Sequence, residues 1–252
     1  MPSTPITDQL SRYANGEQFE NLLVVPITQH GTIRSREAVI RERIVGKRIL
    51  HIGCLDHVPL IAEKIAAGTW LHQILTKASD TCLGLDIDQS GIDLVRSEYG
   101  FENIVYADLI SGDGSESFRN EYWDYAVFGE VLEHIENPVQ FLSRFLELTE
   151  GRVGSVLVTV PNAFRRANWL GTLRSREKVN SDHLYWFTPY TLCRVLNRAG
   201  WKTRSIEHCE FGESDRLSTT LKRSIIRHLP MLAEDLVAVA DGPMIQTSQA
   251  AA

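Results

Sequence analysis

Seven short apolar runs, spaced by stretches with helical periodicity, organise most of the chain. Strands are predicted at 48–53, 81–87, 102–107, 123–128, 154–160, 202–209 and 234–240. Unbroken apolar stretches such as ILHI, CLGL, YAVF and SVLVTV suit strands covered on both faces, as in a parallel sheet. Helices are predicted at 58–78, 89–98, 138–149, 188–199 and 215–228, with a short one at 35–44. Asn137-Pro138 and Thr188-Pro189 pair a capping residue with a proline at the helix start, and Gly200 stops the second of these helices. Phe141, Leu142, Phe145, Leu146 and Leu148 then trace one apolar face. This alternation predicts the α/β class: a doubly wound, seven-stranded, mostly parallel sheet of Rossmann-like form. Residues 1–35 are expected to be an irregular N-terminal extension, 36–242 one domain, and 243–252 a polar tail.

Composition narrows the partners. The 252 residues carry a net charge of −6, which disfavours a nucleic acid held through its phosphates. No apolar run is long enough to span a bilayer, and the polar N-terminus does not fit a secretory signal. Cys54, Cys82, Cys193 and Cys209 form no C-x-x-C pair, which fits a reducing compartment; a cytoplasmic location is expected.

Ligands of open α/β sheets bind beyond the carboxyl ends of the strands. There the chain places Gly53 and Cys54, then Asp86 and Asp88, Asp108, Glu130, and Pro161-Asn162. A carboxylate at the tip of the second strand suits two vicinal ribose hydroxyls, giving Asp86 a nucleoside-binding role. Its alternative is a helix cap, which Asp88 or Ser90 serves better. Asp108 suits an exocyclic adenine amine. A nicotinamide site would want G-x-G-x-x-G and an acid about 20 residues on. Here the later glycines are missing and Asp86 lies 33 residues after Gly53.

The segment 161–187 is long and unusually rich in aromatic and basic residues, which suggests a cover over the acceptor. Arg166, Trp169, Asp182, His183, Tyr185 and Trp186 are its candidate substrate contacts, with Arg165, Arg174 and Arg176 available to an anionic group. His134 follows Glu130 by four residues, so a helical turn would put both on one face. His183 has Asp182 beside it to orient its ring. Either histidine suits a general base. Glu130 and Asp182 are the carboxylates that would hold Mg²⁺ if an ion is used.

HIGC, GLDID, VYADL, WDYAVFGEVLEHIENPVQFL and VLVTVPN, in that order, resemble the class I S-adenosylmethionine-dependent methyltransferases over about residues 45–241. HLYWFTPYTL resembles the branch associated with sugar and polysaccharide biosynthesis. The resemblance implies close backbone approach of Gly53 to the methionine part of the cofactor; Cys54 beside it is a further cofactor-binding candidate, with a small buried hydrophobe as its favoured reading. The resemblance also implies Asp86 on the ribose, Ile87 on the adenine face, Asp108 with Leu109 at the adenine edge, and Glu130 at the sulfonium end. His51 stands where the family has an acid, and two loop glycines are missing; Asp56 and His57 occupy that loop. The implied activity is O-methylation of a small acceptor, a saccharide or glycoside, with His134, His183 and Glu130 as catalytic candidates. A quinone, phenol or other metabolite is the alternative acceptor, and a non-catalytic cofactor-binding subunit the alternative role. Whether the chain forms a homodimer is left open.

Overall fold

The computed structural model describes residues 4–27, 33–211 and 228–243. All seven predicted strands form: β2 (Arg48–Ile52), β3 (Thr81–Asp86), β4 (Ile104–Tyr106), β5 (Trp123–Gly129), β6 (Val153–Pro161), β7 (Lys202–Cys209) and β8 (Asp235–Asp241). An additional two-residue strand, β1 (Thr4–Pro5), comes from the N-terminal arm. The sheet order is β1-β7-β8-β6-β5-β2-β3-β4. From β4 to β6 the pairing is parallel, whereas β8, β7 and β1 add antiparallel to their neighbours.

Successive side chains of a strand point to opposite faces, and both faces here are covered. Ile49 packs with Val39, Ile44, Leu157 and Val237, while Leu50 packs on the other side with Phe128, Phe145 and Trp201. Each such side chain contributes about 1.5–3 kcal/mol on burial. Helices α5 (Gln89–Tyr99), α6 (Pro138–Thr149) and α8 (Pro189–Arg198) start as expected, on Asp88, Asn137 and a Thr188–Thr191 capping box.

Three expectations change. The helix predicted at 58–78 is two helices, α3 (Val58–Ala67) and α4 (Leu71–Ala78). Gly68 adopts φ +68°, which ends α3, and Thr69 N–H donates to the Lys64 carbonyl. Trp70 is then buried, its indole N–H donating to the Cys54 carbonyl at 3.1 Å. Second, the arm expected to be irregular holds α1 (Asp8–Asn15), capped by Thr7 and laid on α8. Arg194 Nη1 donates to the Tyr13 carbonyl at 2.7 Å, and Asn197 Nδ2 to Asn15 Oδ1 at 2.9 Å. Third, segment 161–187 contains a short helix, α7 (Arg166–Thr172). The helix expected at 35–44 forms as α2 (Arg36–Ile44), with Ser35 as its cap rather than its first residue. The helix predicted at 215–228 falls, but for its last residue, outside the described residues, as does nearly all of the tail. No helix among the described residues is long and apolar enough to cross a membrane.

His51, on β2, and His72, on α4, are both buried, with their rings stacked 5.4 Å apart and their Nδ1 atoms separated by 3.2 Å. Burial drives both pKa values down, His72 to about 4, and the proximity of His72 lowers His51 further.

Candidate active site

The ends of β2, β3 and β4 form one wall of a cavity of about 480 Å³. Past β2 the chain turns at Gly53 with φ +64°, where an added Cβ would stand 2.9 Å from Val131 Cγ2. The N–H groups of Gly53 and Cys54 donate to the Leu85 carbonyl and hold this loop against β3. Asp86 binds the same loop: Oδ2 accepts from Leu55 N–H at 2.9 Å and Oδ1 from Asp88 N–H at 3.1 Å. Burial raises the Asp86 pKa, while the N–H groups of Leu55, Asp88 and Ile87 pull it back. Asp108 is also bent into its loop, accepting from the N–H groups of Ile110 at 2.8 Å and Ser111 at 3.3 Å. Burial pushes its pKa up, but these donors and the Ser111 hydroxyl prevail and leave it lowered. Gly53, Asp86, Ile87, Asp108 and Leu109 thus face one space, with Val131, His134, Ile135 and Phe141 opposite. Its mostly apolar walls with an acid at two strand tips suit a nucleoside with a ribose diol and an adenine edge.

Two residues assigned to this cavity lie elsewhere. The Cys54 side chain is 1% exposed and packs against Ile61 and Trp70, so only its backbone borders the loop. Burial pushes its thiol pKa well up, as expected of an inert core residue. Glu130 turns away through a left-handed backbone, φ +57°. Its carboxylate accepts from the Thr159 hydroxyl at 3.0 Å and pairs with Arg36 at 3.2 Å. The helical turn expected between Glu130 and His134 is therefore absent. The chain passes instead through a 3₁₀ turn, Leu132–His134, and His134 reaches the cavity alone.

Glu130 opens into a second cleft of about 540 Å³, lined also by Pro161, Arg165, Asn180, His183, Phe211, Glu234 and Asp235. Cleft and cavity meet where the rings of His134 and His183 touch edge-to-face, 4.7 Å apart. The 161–187 segment is fastened over this junction. Leu184 N–H donates to the Glu133 carbonyl at 2.8 Å, and Tyr185 OH to the Glu136 carbonyl at 2.7 Å. Asp182 was expected to orient His183, but its carbonyl lies 3.1 Å from His134 Nδ1, and its carboxylate accepts from the Ser181 hydroxyl.

Of the remaining candidates for acceptor contact only Arg165 is among the cleft-lining residues. Trp186 lies under the Arg165 guanidinium at 4.7 Å, and Arg166 pairs with Glu234 at 3.4 Å. Trp169 is half exposed on α7, and Arg174 and Arg176 are exposed.

Glu133 is the site residue that sequence reasoning passed over. It is fully buried, and neither carboxylate oxygen has a hydrogen-bond partner. Burial first, and Glu130 second, push its pKa up to about 9. Ligand atoms of Glu133, His134 and His183 lie within 4.8 Å of one another. This is the metal-compatible group among the described residues, in place of the expected Glu130 and Asp182. Burial, His134 and Arg165 lower the His183 pKa, with Asp182 opposing them. Asp235 is pushed well up by burial and by Glu130, against the pull of Arg36.

No curated protein matches the chain. Among solved structures, a methyltransferase-activator complex from Haloferax volcanii matches with a TM-score of 0.51 at 12% identity, covering 95% of this chain and 100% of that one. A putative methyltransferase from Bacillus halodurans matches with a TM-score of 0.50 at 11% identity, covering 83% of this chain and 98% of that one. These likenesses concern the fold. Residues 32–206, more than half of the chain, match the family described as a methyltransferase domain, and the chain belongs to that family.

Proposed function

We propose that the protein transfers a methyl group from S-adenosylmethionine to a hydroxyl of a small acceptor, of saccharide or glycoside type, with His134 as general base. The observation that carries this reading is the ring contact between His134, which lines the nucleoside-type cavity, and His183, which lines the polar cleft. Asp86 would take the ribose diol, Ile87 the adenine face, and Asp108 with Leu109 the adenine edge, while Gly53 leaves room for the methionine part. Bound there, the cofactor supplies a methyl carbon already activated by its sulfonium. The Asp182 carbonyl requires a proton on His134 Nδ1, which leaves Nε2 as the acceptor for the hydroxyl proton. Orientation of the two reactants can supply about 7–11 kcal/mol, and a general base about 10²–10⁴-fold in rate. A cytoplasmic location and an acceptor other than nucleic acid belong to the same reading.

The orphaned Glu133 carboxyl favours a second reading, in which Glu133, His134 and His183 hold a divalent ion. Such an ion would acidify the acceptor hydroxyl. Two imidazoles and a carboxylate suit a first-row transition ion better than Mg²⁺, which prefers oxygen.

Calorimetry with S-adenosylmethionine, followed by turnover over a saccharide panel with and without EDTA, separates these readings. With His134 as base, His134→Ala keeps cofactor binding, slows transfer about 10²–10⁴-fold, and EDTA has no effect. EDTA-sensitive turnover restored by a transition ion establishes the second reading. Binding without turnover on any acceptor favours a non-catalytic subunit, and no binding overturns all three.

A further inference from the structure

The segment beside the polar cleft turns part of its length outward. From Thr172 to Asp182 every residue is exposed, yet cleft-lining residues stand at both ends of this stretch, Arg165 before it and Asn180 and His183 at its close. After α7 the chain doubles back. The Arg174 and Arg176 N–H groups donate to the Gly171 carbonyl at 2.9 and 3.0 Å, and Arg165 Nη2 donates to the Lys178 carbonyl at 3.2 Å. Gly171 permits this approach, because a Cβ there would stand 2.5 Å from the Arg176 carbonyl oxygen. The Leu173 N–H donates to the Trp169 carbonyl, so these two side chains, four residues apart, share one helical face. Trp169 is 55% exposed and Leu173 67%, and Phe164 and Val179 are exposed as well. Arg174, Arg176 and Lys178 are exposed and form no ion pair among the described residues. Residues 165–178 hold five cations and one acid, Glu177, a net +4 in a chain whose total is −6.

Aromatic and aliphatic side chains set among cations suit the boundary between lipid headgroups and acyl chains. There the ring and the leucine enter and the cations meet phosphates. A single-stranded nucleic acid would also take the cations. Leu173 and Val179, however, offer no ring on which a base could stack, and the rest of the chain, at −10, repels a long polyanion. A symmetric dimer through this face would set +4 against +4. An anionic bilayer matches the charge and demands no complementary shape.

We propose that α7 and residues 173–179 dock the protein on an anionic lipid surface, with Trp169 and Leu173 entering the interface and Arg174, Arg176 and Lys178 meeting lipid phosphates. The cleft then opens beside the bilayer, and the acceptor hydroxyl belongs to a glycoside carried on a lipid. That consequence rests on the methyltransferase reading, whereas the docking does not.

Co-sedimentation of the full chain, with and without S-adenosylhomocysteine, would use vesicles of phosphatidylcholine alone and of an equal mixture with phosphatidylglycerol. The mixed vesicles should bind at least tenfold more tightly than the neutral ones, and added salt should narrow the gap. Tryptophan emission should shift to the blue on the mixed vesicles. Trp70, Trp123 and Trp201 are already buried, so Trp169→Phe should remove most of that shift. Trp169→Ser with Leu173→Ser, and Arg174→Gln with Arg176→Gln, should each weaken vesicle binding at least tenfold, with S-adenosylhomocysteine affinity within twofold. Failure of the wild type to bind the mixed vesicles overturns the docking without recourse to a variant, as does equal binding by both paired variants. An oligouridylate that binds where the mixed vesicles do not would assign the face to nucleic acid. A dimer in light scattering that both paired variants dissolve would assign it to a second copy, and either result overturns the proposal. Vesicle binding without S-adenosylhomocysteine binding overturns the methyltransferase reading instead and leaves the docking in place.

Discussion

Acid should weaken the fold through the buried histidine pair, and the size of the effect follows from where His72 titrates. In the unfolded chain a histidine takes up its proton near pH 6.5, whereas burial holds folded His72 down to about 4. The stability His72 carries is thus complete above about pH 6.5 and is lost as the pH falls towards 4. Each pH unit in that window is worth about 1.4 kcal/mol, so between pH 7 and 5 His72 alone costs about 2 kcal/mol. His51 and His208, also lowered by burial, act in the same direction. Glu133 acts in the opposite one: its raised pKa, about 9, means that its share of stability is complete below about pH 4.5 and is lost as the pH rises. Comparing the wild type with His72→Asn cancels what the two proteins share. Asparagine places a hydrogen-bonding group near the Nδ1 position and removes the titrating ring. Urea unfolding followed by tryptophan fluorescence at pH 7 and pH 5 should show the wild type losing about 2 kcal/mol more than the variant. Equal losses would refute the assignment of this acid sensitivity to the pair.

Two further outcomes follow from the cofactor cavity. Asp86→Ala removes the acid at the β3 tip and strands the Leu55 and Asp88 N–H groups, so calorimetry should show S-adenosylmethionine affinity falling at least tenfold. Gly53→Ala demands φ +64° of a residue with a Cβ and sets that carbon 2.9 Å from Val131, so the melting temperature should fall by the equivalent of about 1–2 kcal/mol, with weaker cofactor binding.

The strands were legible because burial on both faces of a parallel sheet demands continuous apolar runs, and few other elements produce them. The Asp86 and Asp108 positions were legible for a related reason: loop acids that end such runs share one sheet edge. Glu133 was not, because in sequence it is one more acid in a turn. Its burial goes with contacts from distant parts of the chain, among them Leu184, whose N–H donates to the Glu133 carbonyl. The Glu130–His134 spacing misled because one left-handed residue breaks the helical periodicity on which it relied. Asp235 had a readable signal that went unused. A strand antiparallel to β6 begins at the edge where the parallel strands end, so its first residue belongs with their last.

The N-terminal arm also has a bearing on solubility. A strand like β7 at the rim of a sheet presents a row of unpaired backbone groups to any other chain in solution. Here Thr4–Pro5 pairs with Ser205–Ile206, and Ile6 N–H donates to the Arg204 carbonyl, so a very short strand containing proline occupies that rim. At the other rim stands β4, only three residues long. Short strands at both margins, one of them with a proline, disfavour strand addition, and displacing the arm from α8 is expected to uncover more of β7 to edge-to-edge pairing.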